Sequence, residues 1–85
     1  MPTKLFVGGI PFRTTEEELE QHFAEAGEVV SVFIPKDRET QRPRGFAFVE
    51  MTDDAAADKA IEMFDQTEMG GRQIVVNKAR PMQER

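Results

Sequence analysis

The stretch that most constrains this chain is Arg44-Gly45-Phe46-Ala47-Phe48-Val49-Glu50-Met51. A strand sends successive side chains to opposite faces, so Ala47, Val49 and Met51 fall on one side while Arg44, Phe46, Phe48 and Glu50 share the other. The first set reads as core. The second is odd for a solvent face, because two phenylalanines lie in alternation between an arginine and a glutamate. Such a flat apolar surface with charge at both ends suits a flat partner. Nucleobases fit, since every base has a π-face that stacks on an aromatic ring, and the arginine can hold a phosphate.

A second stretch repeats the pattern. Lys4 to Ile10 reads as a strand ended by Gly8-Gly9 and Pro11. Leu5 and Val7 point to the core, whereas Lys4, Phe6 and Gly8 give the other face a cation, a ring and a gap. No G-x-G-x-x-G and no Gly-Lys-Ser/Thr follows the glycine pair, which argues against a nucleotide-binding loop.

Together the two stretches resemble the signatures of the RNA recognition motif family. The octapeptide follows Lys/Arg-Gly-Phe/Tyr-Gly/Ala-Phe-Val-x-Phe/Tyr at every specified position but the last, where Met51 replaces an aromatic on the buried face. Leu5 to Ile10 is similar to the shorter hexapeptide signature, with Gly9 where asparagine is frequent. The resemblance runs from Lys4 to about Arg80. It implies an α+β, ferredoxin-like βαββαβ sandwich, a four-stranded antiparallel sheet with two helices on one face.

The intervening segments read accordingly. Thr14 and Thr15 precede Glu17 and Glu18 at capping-box spacing, and Leu19, Phe23 and Ala26 mark an apolar helical stripe ended by Gly27. His22, the only histidine, sits beside that stripe without partners for catalysis or metal binding. Val29 to Pro35 is the second strand, with Val29, Val32 and Ile34 inward and Ser31 and Phe33 outward. Phe33 either joins the open face or shields an edge. Lys36 to Pro43 is a polar loop that brings Arg38 and Arg42 near Arg44. Thr52 or Asp53 caps a second helix with Ala57, Ala60, Ile61 and Phe64 on one face, and Ala55 to Ala57 permit close approach to the sheet. After a Gly70-Gly71 turn, Arg72 to Ala79 is the last strand, with Ile74 and Val76 inward and Gln73, Val75, Asn77 and Ala79 outward. By the same alternation Lys78 points toward the helices.

Charge then divides by face. The chain of 85 residues carries a net charge of -5, awkward for a nucleic-acid binder. Yet Glu16, Glu17, Glu18, Glu20, Glu25, Asp54, Asp58 and Glu62 belong to the helices, while Lys4, Arg13, Arg38, Arg42, Arg44, Arg72, Lys78 and Arg80 belong to strands, loops or tail. The acidic back keeps nucleic acid off the wrong side or suits a basic partner.

The length predicts one domain, residues 1–85, with a core from about 3 to 80 and a flexible tail over 81–85. Without cysteine, a signal-peptide pattern or an apolar run of membrane-spanning length, the chain is expected to be a soluble, cytoplasmic monomer, similar to the short bacterial members of the family. The resemblance implies a non-catalytic binder of short single-stranded RNA, with single-stranded DNA not distinguished from it and no cofactor or metal. The site it implies comprises Lys4, Phe6, Phe33, Arg44, Phe46, Phe48, Gln73, Asn77, Lys78 and Arg80. The alternative is a protein-interaction module on the same fold that uses the acidic helical face. An acyl-phosphate hydrolase of ferredoxin-like fold would need a phosphate loop with a paired arginine and asparagine, and no such loop is present.

Overall fold

A computed structural model describes residues 2–11, 13–36, 38–40 and 45–79. Three strands and two helices come first: β1 (Thr3–Gly8), α1 (Glu16–Phe23), β2 (Val29–Phe33), β3 (Phe46–Met51) and α2 (Asp54–Phe64). Three short strands follow, β4 (Glu68–Met69), β5 (Arg72–Gln73) and β6 (Val75–Lys78). The main sheet is antiparallel in the order β2-β3-β1-β6, so the two signature strands lie side by side at its centre. This is the ferredoxin-like sandwich expected from the sequence.

Alternation divides each central strand as predicted. Leu5, Val7, Ala47, Val49 and Met51 are fully buried against Leu19 and Phe23 of α1 and Ala57, Ala60 and Phe64 of α2. Met51, the departure from the family pattern, is simply core. An unbranched thioether side chain fills irregular space well, which suits the junction between the sheet and the turn at Gly27. The small residues of α2 serve close approach: a Cβ on Gly27 would stand 2.6 Å from that of Ala56.

Both helices begin where the sequence places caps. Thr15 accepts the Glu18 N–H at 3.1 Å while Glu18 accepts the Thr15 N–H at 3.1 Å, a complete capping box. Between Thr52 and Asp53, the structure selects Asp53, which accepts the Ala56 N–H at 2.8 Å. His22 is half-buried, its ring 4.4 Å from that of Phe64.

Four boundaries differ from expectation. β1 stops at Gly8, because Gly9 has a φ of +78° and cannot continue a strand. α1 stops at Phe23, and Ala26 reaches the core from a turn that precedes Gly27. β2 stops at Phe33 and carries a register shift between Val29 and Ser31, which leaves Val30 52% exposed. The last strand is broken at Ile74, whose N–H bonds to Thr67 O and whose carbonyl accepts the Gln66 N–H, both at 2.8 Å. Arg72 and Gln73 therefore pair with Met69 and Glu68 in a separate ribbon, closed by Gly70 and Gly71 at positive φ as a two-residue hairpin turn requires.

Candidate nucleic-acid interface

The outward residues of the sheet form three rows. Ser31, Glu50 and Lys4 lie across one row; Phe33, Phe48, Phe6 and Asn77 across the next; Phe46, Gly8 and Val75 across the third. Three of these side chains make a cluster. Phe6 and Phe46 stack with centroids 5.6 Å apart and planes at 29°, while Phe48 meets Phe6 at 6.0 Å and Phe46 at 5.8 Å edge-on. All three rings are half-buried and lie on the face of the sheet opposite the buried Leu5, Val7, Ala47 and Val49. Phe33, on the edge strand opposite Phe48, is 59% exposed.

Gly8 sets the pose of the cluster. A Cβ there would stand 2.9 Å from Cε2 of Phe6, so the ring of Phe6 occupies the space that a side chain at position 8 would take. Leaning that way brings it onto Phe46. Beside the rings, exposed Val75 continues the apolar floor toward β6.

Polar groups border the rings. Ser31 Oγ donates to Glu50 Oε1 at 3.1 Å, which gives one end of the face an oriented carboxylate, and Lys4 stands opposite Glu50 on β1. At the other end, Asn77 faces Phe6 across the β1–β6 ladder, and its Oδ1 accepts the Lys78 N–H at 2.9 Å. This bond, and the Asp65 Oδ1 that accepts the Val76 N–H at 2.9 Å, occupy outward donors of the edge strand. Neither was visible in the sequence, because which N–H points off an edge depends on strand order.

Two candidate residues lie apart from the rings. Lys78 is on the helix side, its Nζ 3.1 Å from Asp58 of α2, as alternation within β6 requires. Gln73 belongs to the hairpin ribbon, where its Nε2 donates to the Gln66 carbonyl at 3.2 Å. Arg44 and Arg80, like Arg42, fall outside the described residues.

The helical side has the opposite charge. Glu16, Glu17, Glu18 and Glu20 on α1 and Asp54, Asp58 and Glu62 on α2 are all exposed. Asp54 accepts a hydrogen bond from the Thr3 hydroxyl, which with the charge of Lys78 holds its carboxyl below the ordinary 3.8. Among the described residues, no group of histidine and acidic side chains could hold a metal ion, and no helix is long and apolar enough to cross a membrane.

A four-stranded antiparallel sheet with outward-facing aromatics on its two central strands and helices behind it defines an RNA recognition motif. That family matches residues 5–75, and the chain belongs to it. It is 51% identical over 80 residues to RbpD of Nostoc sp., a protein named for RNA binding, with 94% of this chain and 85% of the relative covered. It is 48% identical over 81 residues to RbpF of the same organism, with 95% and 77% covered. Of solved structures, that of the RNA-binding protein PG1 superposes with a TM-score of 0.89 at 39% identity, over 96% of this chain and 99% of that one.

Proposed function

We propose that this chain binds short single-stranded RNA on its sheet face and performs no catalysis there. The observation that carries the reading is the Phe6, Phe46 and Phe48 cluster, three contiguous, half-buried rings on the face of the sheet opposite its helix-packed core. An apolar surface of this kind is costly to leave in water and is a ready platform for unstacked bases. Membership of a family whose relatives are named for RNA binding supports the same conclusion. Base stacking falls to the rings, phosphate contact to Lys4 and, from the sequence, Arg44 and Arg80, and edge recognition to Asn77. Lys78, turned to Asp58, and Gln73, bonded within its ribbon, are left out of this set. The acidic helices repel the phosphate backbone and so favour approach from the sheet side.

Amide-shift mapping against matched short RNA and DNA oligonucleotides tests this. Shifts concentrated on β1, β3 and β6 are expected, and the comparison of the two oligonucleotides measures any preference for RNA. The absence of shifts with either oligonucleotide would favour a protein-interaction module instead, and shifts confined to α1 and α2 would overturn the sheet-face reading.

A further inference from the structure

Asn77 is not free to read a base in both senses. Its Oδ1 accepts the Lys78 N–H at 2.9 Å, and because a backbone N–H can only donate, the amide cannot be turned over without setting donor against donor. The direction of that bond is fixed by the ladder. Ala79 N–H bonds to Lys4 O, so alternate residues of β6 face β1 and the Lys78 N–H points off the open edge. The oxygen is therefore tethered at the outer edge. The two heads of a primary amide diverge, and Nδ2, with its two hydrogens, has no partner among the described residues. It stands on an exposed side chain directly across from Phe6.

We infer that Asn77 acts as a donor-only reader, so that the base stacked beside it is selected for a carbonyl at position 4 of a pyrimidine or 6 of a purine, as in uracil or guanine, against an amino group there, as in cytosine or adenine. This deepens the sheet-face reading and rests on it. The chemistry follows from the outermost group of each base, an acceptor O4 or O6 in the keto bases and a donor N4 or N6 in the amino bases. Cytosine does offer two acceptors: O2, which uracil shares and which therefore cannot separate the two pyrimidines, and the ring nitrogen N3. Reaching it would bring the Nδ2 hydrogens against those of N4, whereas uracil O4 protrudes and accepts without that conflict. The rings cannot supply this choice, because stacking reads only a π-face.

Uracil and cytosine differ at these positions and little in size, so the test compares oligouridine with oligocytidine of equal length. Asn77→Asp keeps an oxygen for the Lys78 N–H and replaces the donor with a second acceptor. Its added charge weakens both RNAs, and the ratio of the two affinities removes that shared effect. Wild type is expected to favour oligouridine, and Asn77→Asp to move the ratio toward oligocytidine by about tenfold, the worth of one hydrogen bond gained or lost. Asn77→Ala, with neither head, should fall between. A ratio unchanged by Asn77→Asp, or moved toward oligouridine, overturns the inference. Phe48→Ala separates the two levels of the argument: it should weaken both RNAs alike, and if it changes neither, the sheet-face reading has failed and the donor-only reading falls with it.

Discussion

The ring of Phe6 rests over the bare Cα of Gly8, close enough that an added Cβ would stand 2.9 Å from its Cε2 and 3.2 Å from its Cζ. Position 8 therefore decides where the central ring of the face lies. Gly8 itself has no positive φ, so backbone strain is not the issue there, in contrast to Gly9.

Gly8→Ala should consequently leave the fold intact and move Phe6. The displaced ring loses its near-parallel contact with Phe46, and holding it off its preferred rotamer costs about 0.5–1.5 kcal/mol. Ring-proton contacts between Phe6 and Phe46 are expected to weaken, and RNA affinity to fall by roughly threefold to tenfold. An unchanged ring pose with unchanged affinity would show that the close approach has no part in binding.

Truncation of the rings themselves should cost more. Stacking of a base on an aromatic side chain is worth about 1–3 kcal/mol by alanine substitution, so Phe46→Ala or Phe48→Ala is expected to lower RNA affinity by tenfold or more. Half-exposed rings on strands whose opposite faces are fully buried can be removed without opening the core, and the thermal midpoint should move little. Phe33, outside the cluster on the edge strand, should matter less. Affinities of the three single variants for one oligonucleotide rank them.

Most of this architecture was legible in the sequence for a simple reason: alternation and capping are local. Residues 46, 48 and 50 share a face in any regular strand, whatever sheet it joins, and Thr15 with Glu18 can cap a helix wherever it lies. What escaped is nonlocal. Ile74 keeps its place in the alternating pattern, inward between Gln73 and Val75, although its backbone bonds to residues 66 and 67 rather than to β1, so the break in the last strand left no trace in side-chain order. The same limit hid the tether on Asn77. From sequence the side chain offers a donor and an acceptor, and only the position of β6 at the sheet edge reveals that the acceptor is already used. Lys78 shows the reverse case, since alternation had it facing the helices, where Asp58 meets it.

Binding should depend on salt despite the net negative charge. With about three phosphate contacts, from Lys4 and from the arginines expected beside the face, the logarithm of the binding constant should fall with the logarithm of salt concentration at a slope near -2, taking about -0.7 per contact for a single strand. A titration from low to physiological salt measures it. A slope of zero would remove phosphates from the interface and leave stacking alone.

The acid limit of stability should carry the mark of Asp54. Its carboxylate accepts from the Thr3 hydroxyl and lies near the Lys78 ammonium, and both favour the ionised form, so the folded-state pKa is below the ordinary 3.8. A depressed carboxyl pKa stabilises the fold at every pH above the ordinary value. The contribution fades as pH falls below 3.8 and is gone once the folded-state group itself is protonated. The bond ties the first residue of β1 to the first turn of α2, which links the sheet to the helix behind it. Because the group is exposed, solvent and salt screen the effect. Asp54→Asn should therefore lower the thermal midpoint modestly at neutral pH, less in high salt, and the gap between variant and wild type should close as the buffer is taken below pH 3.8. A gap that stays constant through that range would assign the loss to the geometry of the amide rather than to the charge.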